Sequence, residues 1–216
     1  MELHVLMEER SMEPVVRHVV RTQWPGLSFI PITFQGKPDL MRRLPGRLAG
    51  YRTWPAQAGL RIVVLVDRDD DDCHNVKAAL ERMSADAHLA TLSSAQHGPA
   101  MVANRVVCEE LEAWFFGDMA ALCSAFPRLP PLSHKSAYRH PDEIRGGTAE
   151  RLERELQAAG YCLGGMGKPW VAARVAPHLE VTRNTSPSFR AFVGALRSLV
   201  AIPDPPSPAE EDGEWR

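Results

Sequence analysis

The run from Arg61 to Asp72, RIVVLVDRDDDD, leaves this chain few ways to fold. Ile62 to Val66 is an uninterrupted apolar segment, and five of the next six residues are aspartates. A strand that reads as continuous Val, Ile and Leu has both faces covered, as in the parallel sheet of an α/β protein. Ligands of such folds bind just beyond the carboxyl ends of the strands, which is where the aspartates stand. Carboxylates this crowded raise one another's pKa unless a cation lies among them. Hard oxygen donors suit Mg²⁺, Mn²⁺ or Ca²⁺.

Strand and helix patterns alternate on either side of that run. Leu3 to Met7 reads as a first strand, and Ser11 as the N-cap of a helix carrying Val15, Val16, Val19 and Val20. Leu27 to Phe34 reads as a second strand, placed at an edge by Pro31. The helix after the aspartates carries Val76, Ala79, Leu80 and Met83, with Asp72 near its start. Val102 to Val107 makes a further strand that runs into Cys108–Phe116. This alternation predicts an α/β fold, Rossmann-like, with a mainly parallel sheet flanked by helices. Its core is expected over residues 1–126, with a basic insertion near 35–58.

Beyond residue 127 the pattern turns helical. Thr148 is a candidate cap, Pro169 suits a first turn, and Ser188 opens an amphipathic helix with Phe189, Phe192, Val193, Leu196, Leu199 and Val200. Residues 127–202 therefore read as a helical C-terminal extension packed on the core. Residues 203–216 read as a disordered acidic tail, rich in proline. The net charge of −2 does not mark a nucleic-acid binder, but the tail alone carries −4 (five acidic residues against Arg216), which leaves the rest of the chain at +2. The four cysteines, Cys73, Cys108, Cys123 and Cys162, have no paired spacing and read as reduced thiols. No apolar run is long enough for a membrane span, and Met1–His4 has no basic leader. A cytoplasmic protein with no membrane partner is the expectation.

Asp67-x-Asp69 is the strongest chemical element, because alternate residues leaving a strand can turn toward one ion. Asp70 and Asp71 either extend that site or decorate the next helix, and Asp72 reads as a helix-start residue. A solvated acidic loop beside a helix N-terminus is the bland alternative for the whole run. Glu8 and Glu9 follow the first strand, and Glu109, Glu110 and Glu112 follow the last one. Any of these could reach the same edge of a parallel sheet or lie on a solvated helix face. Lys37, Arg42, Arg43, Arg47 and Arg52, interleaved with Tyr51 and Trp54, could track a phosphate backbone or form a solvated, partly helical surface. The Gly164–Pro169 stretch fails as a phosphate loop, since Cys162 replaces the first glycine and Pro169 the Ser/Thr. Lys168 alone could still neutralise a phosphate.

A glutamate after the first strand with an Asp-x-Asp after a later one resembles the Toprim domain of topoisomerases, primases and overcoming-lysogenization-defect nucleases. A wider set of stretches resembles one Toprim-like domain-of-unknown-function family, often encoded beside ABC-type ATPases. Those stretches are Met7–Glu13, Phe34–Leu40, Val66–Asp69, Glu109–Asp118, Gly146–Thr148, Lys168 and Asn184-x-Ser186-x-Ser188-Phe189. The resemblance implies Glu8 as the Toprim glutamate, with Asp67 and Asp69 holding Mg²⁺ or Mn²⁺. It implies Glu109 or Glu112 as a further metal ligand and Lys168 as a late catalytic lysine. Toprim domains usually place glycine directly after the glutamate, whereas this chain has Glu9, which leaves Glu8 and Glu9 both open as the ligand.

The expected function is a metal-dependent nuclease of Toprim type, acting on DNA or RNA in phage defence with an ABC- or AAA-type ATPase partner. A homodimer is left open. The alternative is a non-catalytic Toprim-like module that regulates the ATPase. Phosphatases and sugar-nucleotide transferases also use Asp-x-Asp after a strand, but the former place it near the chain start and the latter need a longer domain.

Overall fold

The computed structural model describes residues 1–53, 59–95 and 99–201. Four strands form one parallel sheet: β1 (Glu2–Met7), β2 (Ser28–Thr33), β3 (Leu60–Asp67) and β4 (Val102–Val107), in the order β2-β1-β3-β4. All eight residues of β3 are buried, as a central strand covered on both faces must be. Met7 stands beside Leu65 and Thr33, and Asp67 beside Val107, so the four strands end at one rim. β2 is the partly exposed edge, and Pro31 is tolerated there because its missing N–H costs no ladder bond.

Helices α1 (Met12–Gln23), α2 (Lys37–Arg52) and α3 (Cys73–Asp86) are the crossovers between successive strands. Val15, Val16, Val19 and Val20 of α1 join Leu3, Val5, Met7, Val63 and Leu65 in one apolar cluster. Leu40, Leu44 and Leu48 of α2 and Val76 and Leu80 of α3 join Leu6, Ile62, Val64 and Val66 in another. Alternate residues of β1 and β3 thus feed opposite faces, as the period of two requires. The chain leaves β1 toward β2 with α1 on one face and returns to β3 with α2 on the other. Between β1 and β3 lies the switch point at which parallel sheets open a crevice.

Helices α4 (Glu112–Gly117), α5 (Met119–Ala125), α6 (Thr148–Ala158), α7 (Lys168–Val175) and α8 (Pro187–Val200) follow the sheet. Their apolar side chains, among them Phe115, Leu122, Leu152, Val171, Phe192 and Leu196, belong to the same cluster as α1. Trp114 is fully buried and carries much of that packing. Its indole stacks on Phe192 at 5.2 Å, meets Phe189 edge-on at 5.1 Å, and donates Nε1–H to Ser188 Oγ at 2.9 Å. Each such ring pair adds roughly 0.5–1.5 kcal/mol beyond area burial.

Three caps, at Ser11, Ser188 and Thr148, differ from the sequence expectation. Ser11 has helical backbone angles and donates its hydroxyl to Glu9 instead of capping α1. Ser186, not Ser188, caps α8, its Oγ accepting from Phe189 N–H at 3.2 Å. Asp72 does cap α3, accepting from Asn75 N–H at 2.9 Å.

Gly117 explains why a Phe-Gly-Asp stretch and a distant Asn-x-Ser occur in one chain. A Cβ there would stand 2.3 Å from Asn184 Oδ1 and 2.9 Å from Ser186 N. Asn184 cannot retreat, because its Nδ2 donates to Trp114 O at 2.8 Å and its Oδ1 accepts from Ser186 N–H at 2.9 Å. Gly117→Ala is therefore expected to lower stability by about 1–3 kcal/mol through overpacking. A thermal melt checks this, and an unchanged Tm would show that the 184–186 segment yields.

Candidate metal centre at the carboxyl rim

Glu8 extends β1 by one residue and is clamped on both sides. Its N–H bonds Leu65 O at 3.1 Å, and its carbonyl accepts from Gly36 N–H at 3.0 Å. Its carboxylate bridges the neighbours, Oε1 accepting from Lys37 N–H and Oε2 from Asp67 N–H, each at 3.0 Å. Gly36, at φ +89°, supplies the turn that brings the first N–H of α2 onto Glu8. Burial, and then Asp69, push the Glu8 carboxyl up to about 7, against the pull of the Asp67 N–H and of Lys37.

Asp67, the last residue of β3, is 2% exposed, and its Oδ1 has no hydrogen-bond partner. Burial comes first, then Glu8, Glu112 and Glu9, in raising its pKa well above the carboxylate range, with Lys168 opposing. Glu112, in the first turn of α4, is fully buried, and neither of its carboxylate oxygens has a partner. Burial pushes it up to about 7, although Lys168 pulls the other way. A buried polar atom without a partner costs about 1–3 kcal/mol, and more when charged. Three such oxygens on two side chains at one rim are therefore the site's defining feature.

Lys168 opens α7, one residue after Gly167, and donates to Glu110 Oε1 at 2.9 Å. Burial works against its ammonium, but Glu112 and Glu110 outweigh it and hold its pKa above the usual lysine value. Glu110 Oε2 accepts from Ala149 N–H at 2.9 Å and from Thr148 Oγ1 at 3.2 Å, capping α6. Thr148 thus receives a cap from the rim instead of providing one. Burial disfavours the Glu110 carboxylate, yet the Ala149 N–H and Lys168 keep its pKa low. Glu110 ties both helices to the strand end.

The outer lip is arranged differently. Asp69 is exposed at φ +50° and Glu109 sits at φ +62°, two left-handed backbones joined by Asp69 N–H to Glu109 O at 3.0 Å. Arg68 pairs its guanidinium with the Glu109 carboxylate. Lys37 Nζ reaches Asp69 Oδ2, Asp71 Oδ2 and Arg68 O, each at 2.8 Å. Asp69, Asp70, Glu109, Glu110, Gly146, Gly147 and Glu150 line a hollow of about 420 Å³ beside this lip.

The structure thus gathers Glu8, Asp67, Glu112 and Lys168 at one rim, with Asp69 and Glu109 on its lip. Lys37 joins them, apart from the other basic residues of its stretch. Those stand along α2, a helix where sequence reasoning saw a basic insertion: Arg42 and Arg43 share Asp39, Arg43 lies 5.4 Å over the Phe34 ring, and Arg47 and Arg52 are exposed. Trp54 and the tail 203–216 lie outside the described residues. The sequence leaves Glu9 open with Glu8 as a ligand and does not separate Glu110 from its glutamate neighbours. Glu9 accepts from Ser11 and bears electrostatically on Asp67, Glu112 and Lys168.

Among the described residues, no group of three or more Asp, Glu, His or Cys side chains stands close enough together to hold a metal ion.

The profile of the domain of unknown function DUF4276 matches residues 7–197. The chain belongs to this family. No curated protein and no solved structure matches it. The matched span starts one residue before Glu8 and ends within α8, so it contains every side chain of the rim. In the described residues no helix is long and apolar enough to cross a membrane.

Proposed function

We propose that the protein is a Mg²⁺- or Mn²⁺-dependent nuclease of Toprim type, acting on DNA or RNA. The observation that carries the reading is the set of unpartnered buried oxygens on Asp67 and Glu112, beside a lysine at the crevice of a parallel sheet. Such oxygens are tolerable if protonated or if they face a cation, and a hard divalent ion fits an all-oxygen set. Asp67 and Glu112 would hold it, with Glu8 fixing the position of Asp67 through the backbone. The chemistry such an ion supplies is charge stabilisation at a phosphate and a more acidic water.

Lys168 is held by Glu110 at the edge of the carboxylate group, where its charge would offset a phosphate entering there. Lys168 moves no proton in this reading, since its pKa is raised and it stays charged at neutral pH. Once ionised, the carboxylates gathered at the rim repel a polyanion, which is admitted only when cations have neutralised them. Phage defence with an ATPase partner belongs to the same proposal, supported by the family resemblance in the motifs around Glu8, Asp67 and Glu109. Delivery by a partner also fits a chain of slightly negative net charge.

A second reading is a regulatory module that cuts nothing. Glu8 favours it, because both carboxylate oxygens already hold backbone N–H groups and act as a structural tie. The test is incubation of the protein with labelled DNA and RNA in Mg²⁺ or Mn²⁺, together with calorimetry of Mn²⁺ alone. Cleavage with metal binding supports the nuclease. Metal binding without cleavage leaves the regulatory module, and no metal binding removes the nuclease reading.

A further inference from the structure

We infer that Lys37 is a tethered cation that fills the outer lip of the rim, so that the site takes one divalent ion and not two. The inference rests on the proposed metal site and adds its stoichiometry. An Asp-x-Asp pair after a strand offers two carboxylates, but here they face different environments. Asp67 is buried with a free Oδ1, whereas Asp69 is exposed and already paired.

The pairing is saturated. An ammonium has three N–H donors, and Lys37 has three oxygens at 2.8 Å: Asp69 Oδ2, Asp71 Oδ2 and Arg68 O. Its side chain is only 14% exposed, so the charge is set into the loop and not displayed on the surface. The same residue reaches the inner part through its backbone, where its N–H bonds Glu8 Oε1. Lys37 therefore sits between the two halves, closing the lip with its ammonium and holding Glu8 with its amide.

An ion bound at Asp69 Oδ2 would have to displace this ammonium. No such competitor stands at Asp67 Oδ1 or at either Glu112 oxygen, where Lys168 is engaged by Glu110. Lys37 is thus a positioning residue that sets how many ions the rim accepts. Removing its charge leaves Asp69 and Asp71 unneutralised beside Asp70, which is a lip with open capacity for a second cation.

Titration calorimetry with Mn²⁺ on the full chain tests this. Wild type is expected to bind one ion per chain, Lys37→Met two, and Lys37→Arg one, since methionine keeps the stem and the backbone N–H but loses the charge. Lys37→Met should also melt about 2–4 °C lower in EDTA and recover in Mn²⁺, as expected when repelling carboxylates regain a cation. Two ions in wild type, or one in Lys37→Met with an unchanged melt, overturns the inference while the metal site stands. If wild type binds no Mn²⁺, the metal site itself fails, and the inference with it.

Discussion

Asp67→Asn is expected to abolish metal-dependent cleavage and to raise the melting temperature of the metal-free protein. Loss of a group that supports a metal ligand commonly costs 10–100-fold, so loss of the central ligand should cost at least about 100-fold. The stability effect has the opposite sign for the same physical reason. Asp67 is 2% exposed, has an unpartnered oxygen, and lies among Glu8, Glu9 and Glu112, so its charge is a burden unless a cation is present. Asparagine has nearly the same shape without the charge, and about 1–3 kcal/mol of stability should be recovered. The gain grows as pH rises above the ordinary aspartate value of 3.8. At acid pH the aspartate is itself protonated, and the two proteins should converge. Thermal melts of both proteins in EDTA and in Mn²⁺ separate the possibilities. If Asp67→Asn melts lower in EDTA, Asp67 is a structural partner and the metal-centre reading is lost. If it melts higher in EDTA but gains nothing from Mn²⁺, the ligand role stands.

The parallel sheet was legible because β3 announces both of its covered faces in sequence, and because β1 and β4 end in acidic residues at comparable places. The rim therefore followed from topology: strands in one direction put Glu8, Asp67 and the 109–112 segment on one side. What was not legible has local causes. Helix α2 was obscured by Gly36, Pro38, Pro45, Gly46 and Gly50, which weaken the helical signal, while Leu40, Leu44, Leu48 and Tyr51 still bury one face. Helical folding separates Lys37 at the N-terminus from the arginines behind it, and no charge count reveals that split. Glu109, Glu110 and Glu112 look alike in sequence but diverge in space. The positive φ of Glu109 turns it toward Arg68, Glu110 caps α6, and Glu112 goes inside. Nothing in their spacing foretold that division, since it depends on where Thr148 and Lys168 arrive from the second half of the chain.

Metal-free stability is expected to fall as pH rises from about 5 to about 8, contrary to the usual behaviour of paired carboxylates. Glu8 and Glu112 each rise from 4.5 to about 7 on folding, first through burial. A carboxyl with a raised folded pKa binds its proton more tightly in the folded state, so its full benefit is present below the unfolded value. That benefit is lost as pH climbs through the folded value, here between about 4.5 and 7. For one such group the loss is roughly 3 kcal/mol, and the two are not additive because both act on Asp67. The shifted neighbours do not cancel the slope. Lys168 is raised above the lysine range and loses its contribution only at strongly alkaline pH. Glu110 has a lowered pKa, so its contribution is complete above 4.5 and disappears only below the window. Urea unfolding at pH 5 and pH 8 in EDTA reads this directly, and a protein more stable at pH 8 would contradict it. Mn²⁺ should flatten the slope, because a cation that binds the ionised carboxylates stabilises the state that burial disfavours. The same rim would then be a weak point of the empty protein and a strong point of the loaded one.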